Sequence, residues 1–145
     1  MSDIRLERDL NVSVDELWDF VTTTDGLLHW WGPDGFTIRE HTLDFTRLGP
    51  WFSIMQSPEG NRFKVSGEVT HVRPKMSVGF TWAWHDEEDE RGPESHVTLS
   101  VSPLEDERAR LILDHMELAD AEAAQRHYAG WISCLKKLER QFAPA

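Results

Sequence analysis

Apolar and polar positions along the chain change period three times, and each change marks a new kind of element. Residues 3–11 alternate, with Ile4, Leu6 and Leu10 set against Arg5, Glu7 and Arg8, which predicts a first strand. Ser13-Val14-Asp15-Glu16 then reads as a capping box, in which the Ser and Glu side chains satisfy free N–H groups at a helix start. Leu17, Trp18, Phe20 and Val21 supply that helix with a buried stripe, and a second short helix is predicted over residues 25–31, stopped by Gly32-Pro33. Two helices this short cannot bury their own apolar faces. They need a sheet.

The following segments provide it. Residues 35–44 and 50–57 predict two strands. In 62–72, Phe63, Val65, Gly67 and Val69 alternate with Lys64, Ser66, Glu68 and Thr70. After Arg73-Pro74-Lys75 comes the strongest period-two signal, with Met76, Val78, Phe80, Trp82 and Trp84 on one face. Val97, Leu99 and Val101 mark another strand, and Ala109, Leu111, Leu113 and His115 share a face of the last. The period then lengthens to three and four: Ala124, Tyr128, Trp131, Ile132, Leu135, Leu138 and Phe142 form the stripe of a helix over residues 119–141. The order is strand, two short helices, six strands and a long helix, which predicts an α+β domain: an antiparallel sheet with helices on one face.

Composition narrows the chemistry. The 145 residues carry 15 Lys and Arg against 26 Asp and Glu, a net charge of −11. Such a field repels phosphate backbones and anionic membranes, so direct nucleic-acid binding is not expected. The single cysteine, Cys134, permits no internal disulfide. The charged N-terminus and the lack of any long apolar run predict a cytoplasmic protein with no membrane insertion. The acidic stretch from His85 to Pro93 reads as a solvated hairpin loop. Seven Trp and seven Phe against one Tyr are the unusual feature, and Trp suits the wall of a mostly apolar cavity.

The segments Val14-Asp15-Glu16-Leu17-Trp18, Leu28-His29-Trp30-Trp31-Gly32-Pro33, and Asp44 with Arg47-Leu48-Gly49-Pro50-Trp51-Phe52 resemble the heat-shock-protein-90 ATPase activator homologue-like family, within the START-like (SRPBCC, birch-pollen-allergen-type) helix-grip superfamily. Gly67-Glu68-Val69 with Val72 and Pro74, the strand end Phe80-Thr81-Trp82, and Gly130-Trp131 complete the set, with Pro50 where the family pattern has a second glycine. The resemblance spans about residues 4–140. It implies a helix-grip fold with a curved antiparallel sheet of six or seven strands, two short helices and a long C-terminal helix. It also implies either binding of small hydrophobic ligands between sheet and helix or, as in eukaryotic relatives, a co-chaperone's interaction domain.

Candidate chemistry is sparse. The seven His show no zinc-protease spacing, and no metal or cofactor is expected. His115 shares an inward face with Leu111 and Leu113, where it would serve as a core residue, a ligand's polar partner, or an acid or base. His29 reads as a surface residue, Asp44 as a turn carboxylate bonded to backbone N–H groups, and Cys134 as a buried thiol. No nucleophile motif names a reaction. The expected ligand site gathers Trp30 and Trp31 at the mouth, Phe36, Trp82 and Trp84 from strands, His115, and Tyr128, Trp131 and Leu135 from the helix. Its polar contacts would come from His115, Tyr128 and the indole N–H groups. The expected partner is a small hydrophobic or aromatic molecule bound by a monomer or homodimer. The alternatives are a protein partner such as a chaperone, or a small-molecule cyclase or hydrolase that uses His115.

Overall fold

The computed structural model describes residues 2–142. Strand β1 (Ser2–Leu10) leads into helices α1 (Val14–Thr22) and α2 (Thr24–Trp30). Six strands follow: β2 (Thr37–His41), β3 (Gly49–Gln56), β4 (Arg62–Arg73), β5 (Ser77–Trp84), β6 (Ser95–Pro103) and β7 (Ala109–Leu118). Helix α3 (Ala121–Gln141) comes last. All seven strands form one antiparallel sheet in the order β1-β7-β6-β5-β4-β3-β2, so the first strand closes onto the last. This is the helix-grip fold.

Local chemistry sets the joints. Ser13 Oγ accepts the Glu16 N–H at 3.2 Å and starts α1. Thr23 ends α1 and begins α2, its Oγ1 accepting the Gly26 N–H at 3.2 Å. The two helices can meet this closely because residue 26 is glycine: a Cβ there would lie 2.2 Å from the Phe20 carbonyl oxygen. At the far end, Asp120 caps α3 by accepting the Ala123 N–H at 2.8 Å. Register breaks between Ile38 and Glu40, and between Val69 and His71, mark bulges, which bend a sheet.

The sequence pattern needs correcting at two places. The strand expected over 35–44 is only Thr37–His41, because the chain then leaves the sheet towards the α1–α2 junction, burying Leu43 and Phe45. The Phe45 N–H bonds the Thr22 carbonyl at 2.8 Å, and Thr24 Oγ1 bonds that of Leu43, so tertiary hydrogen bonds replace the ladder. Met76 falls in the turn that Lys75 makes at φ 63°, and it is exposed rather than inward.

The core lies between the concave sheet face and the helices, with Leu17, Leu27, Phe80, Val97, Leu99 and Leu138 buried in it. Helix α3 packs chiefly against α2, β1 and β7. That seating covers one side of the sheet and leaves a space over β3, β4 and β5.

Candidate functional site

A cavity of about 370 Å³ occupies that space, within the range of small-molecule sites. Its sheet wall is Met55 of β3, Phe63 of β4, and Trp82 and Trp84 of β5. Its helix wall is Arg126, His127, Gly130, Trp131 and Cys134 of α3, and the α2–β2 turn closes it with Trp31, Gly32, Pro33 and Phe36. Trp31, Trp82 and Trp131 are buried at its base, whereas Phe63 and Arg126 are exposed and mark the mouth. The base is an aromatic cage: Trp82 lies 5.7 Å from Trp31, 5.2 Å from Trp131 and 5.4 Å from Trp84, ring centre to ring centre. Edge-to-face and tilted contacts of this kind hold rings rigidly in place.

Of the residues expected at the site, Trp31, Phe36, Trp82, Trp84 and Trp131 come together on the wall. Four others do not. Trp30 is fully buried behind Trp31, its indole donating to the Phe20 carbonyl at 3.3 Å. Leu135 is buried in the core beside the cavity. Tyr128 is 47% exposed. It fits the three-and-four spacing of the stripe, but the cavity face of α3 runs through 127, 130, 131 and 134, which leaves 128 on the solvent flank. His115 sits one layer behind the wall, with no exposed surface.

Two histidines hold the aromatic wall in place. Trp131 Nε1 donates to His115 Nδ1 at 3.0 Å, so the proton of neutral His115 is on Nε2, which donates to Ser95 Oγ at 2.7 Å. Burial pushes the His115 pKa down to about 3, helped by nearby His127 and His96. Trp84 Nε1 donates to His127 Nε2 at 2.9 Å, and His127 Nδ1 donates to the Ala123 carbonyl at 2.7 Å. Burial holds His127 below its ordinary pKa as well. Both imidazoles therefore have both nitrogens committed. The indole N–H of Trp31 is committed too, donating to Ser53 Oγ at 3.0 Å. Among the wall indoles only that of Trp82 has no acceptor among the described residues.

Pattern reading missed Gly32, Pro33, Met55, Phe63, Arg126, His127, Gly130 and Cys134 as wall residues. A signal existed for Gly130, which stands in the Gly-Trp pair, and for His127, one turn before Trp131. Cys134 is buried, and burial pushes its thiol pKa up to about 12, so at neutral pH it presents an S–H and not a thiolate.

Two other candidates take structural places. Asp44 Oδ1 accepts the Thr46 N–H at 2.9 Å; burial works against its ionisation, but the Thr46 bonds outweigh it and hold the carboxyl below its usual range. His29 is exposed and donates to the Asp25 carbonyl at 2.7 Å.

A second polar cluster lies on the outer side of the sheet. Ser66 Oγ donates to His85 Nε2 at 2.6 Å, and His85 Nδ1 donates to Asp89 Oδ1 at 2.8 Å, the bonding order of a nucleophile triad. The setting is not that of one. Ser66 pairs with Phe52 on one side and Ala83 on the other, so its backbone is spent in the ladder and forms no oxyanion site. Arg91 Nε donates to Ser66 Oγ at 3.0 Å, and Lys64 Nζ reaches Asp89 Oδ1 at 3.0 Å. The cluster fastens the acidic β5–β6 hairpin to β4. Among the described residues no group of three or more His, Cys, Asp or Glu is placed to hold a metal ion. No helix there is long and apolar enough to cross a membrane.

Comparison with known proteins places this geometry. Residues 11–143 match the family described as activator of Hsp90 ATPase homolog 1-like protein. The chain belongs to that family. Among solved structures, the activator-homologue protein of Silicibacter pomeroyi is 54% identical, with 97% of this chain and 96% of that chain covered and a TM-score of 0.92. A Chromobacterium violaceum protein, 20% identical and fully covered on both sides, shares the fold at a TM-score of 0.83. DynU16, a protein of the dynemicin biosynthetic locus, shares it at 22% identity and a TM-score of 0.73, with 97% of this chain but 46% of that chain covered. Comparison with curated proteins found no match. Activator-homologue-like proteins have the SRPBCC fold, which commonly binds hydrophobic ligands.

Proposed function

We propose that this protein binds a small, largely aromatic molecule in the cavity between α3 and strands β3–β5. The observation that carries the reading is Gly130. It sits in the middle of α3, where glycine costs roughly 0.8–1 kcal/mol relative to alanine. Tight packing does not demand it, since a Cβ at 130 would meet nothing within 4 Å. The position faces the cavity, so the chain tolerates a weaker helix and keeps the space open. The wall supports the same reading. The rings of Trp31, Trp84 and Trp131 are held by committed N–H groups and the Trp82 N–H is buried, which leaves flat apolar faces as the main recognition surface.

The test is a titration of intrinsic Trp fluorescence, with thermal unfolding in parallel, across naphthyl, biphenyl, indolyl and aliphatic probes. The expected result is saturable change with the aromatic probes. At 100 times its dissociation constant a probe stabilises the fold by about 2.7 kcal/mol. A flat response from every probe refutes the proposal.

A further inference from the structure

Building on that reading of the cavity, we infer that its ligand carries one anionic group, a carboxylate or sulfonate, held at the mouth by Arg126 while the aromatic body lies against the Trp wall. Arg126 is the one wall residue with a fixed charge. The other ionisable wall groups offer no charge to a ligand: His127 has both nitrogens bonded within the protein, and Cys134 stays a thiol.

Position adds to this. Arg126 lies one helical turn before Gly130 on the same face of α3, and both line the cavity. A cation is also out of keeping with its surroundings. The chain carries −11 overall, so an anion is drawn to this mouth by a local group and not by the general field.

The guanidinium is available. Its partner is Glu122, one turn earlier, at 3.1 Å, with the two side chains 65% and 82% exposed. An exposed pair of this kind is worth little, so a carboxylate that brings apolar burial with it can take Glu122's place. The planar fork of Arg suits two-point contact with a carboxylate or sulfonate. An ammonium ligand would find no carboxylate among the wall residues.

The experiment compares matched probes: naphthyl-, biphenyl- and indolyl-acetates against the corresponding acetamides, of the same shape without the charge. Affinities are measured by Trp fluorescence at low and at 0.5 M salt, on the wild type, Arg126→Gln and Glu122→Gln. We expect acetates to bind about fivefold tighter than acetamides at low salt, the effect of one partly solvated ion pair, and the preference to shrink in high salt. Arg126→Gln should remove the preference. Glu122→Gln should strengthen acetate binding, because the competing carboxylate is gone. Equal affinity of each matched pair in the wild type, or a preference that survives Arg126→Gln, overturns the anion assignment while the cavity reading stands. Failure of all six probes overturns the cavity reading and this inference with it.

Discussion

Replacing Gly130 with alanine separates an open cavity from a tightly packed helix, because the two demand opposite signs. Position 130 is nine residues from the start of α3 and eleven from its end, so it caps nothing. Alanine there removes the backbone-entropy cost of glycine, a gain of about 0.5–1 kcal/mol. No steric term offsets it, since the added methyl meets no atom within 4 Å. For a chain of this length that gain raises Tm by about 1.5–3.5 °C. Gly26 is the internal control: an added Cβ would press into the Phe20 backbone, so Gly26→Ala should lower stability by more than Gly130→Ala raises it. The assay is urea unfolding followed by far-UV circular dichroism, which does not depend on the Trp rings. Gly130→Leu extends the same test to function, because its isobutyl group enters the cavity and should abolish binding of the aromatic probes without unfolding the protein. A loss of stability in Gly130→Ala, or unchanged probe affinity in Gly130→Leu, refutes the reasoning.

Two further outcomes test the polar clusters. Below pH 6.5 the unfolded chain protonates His115 and the folded chain, with its pKa near 3, does not. Stability from this group is therefore complete above about pH 6.5 and falls as pH drops towards 3, by up to roughly 1.4 kcal/mol per pH unit. His115→Asn should begin about 1–3 kcal/mol less stable, from the lost bonds to Ser95 and Trp131. It should then show a shallower decline between pH 6.5 and 4 in urea unfolding, and parallel curves would contradict the assignment. Ser66→Ala should cost about 0.5–1.5 kcal/mol and quicken amide exchange across residues 85–91, since Ser66 holds both His85 and Arg91. A fluorophosphonate probe should leave Ser66 of the wild type unmodified, and covalent labelling there would show a nucleophile where we assign a fastening.

The elements of this protein are legible in its sequence because their causes are local. Ser13 three residues before Glu16 makes a cap whatever lies across the sheet, and the alternation from Val78 to Trp84 makes a strand whose large apolar side chains share a face. The Trp count, together with the strand and helix periods, was enough to bring five of the cavity's aromatic residues to one wall. What escaped depends on distances between elements. Whether 127 or 128 faces the cavity turns on the rotation of α3, which is set by its seating on α2, β1 and β7 and not by its own apolar spacing. Whether an indole N–H is free for a ligand depends on which element lies opposite. Ser53, His115 and His127 take up those of Trp31, Trp131 and Trp84 across sequence separations of 22, 16 and 43 residues. The cluster of Ser66, His85 and Asp89 likewise exists only through the β4–β5 register and the folded-back hairpin. Period, caps and composition are properties of neighbours along the chain and so belong to the sequence. Enclosed space, committed hydrogen bonds and shifted protonation arise when distant segments exclude water together, and only the packed structure decides them.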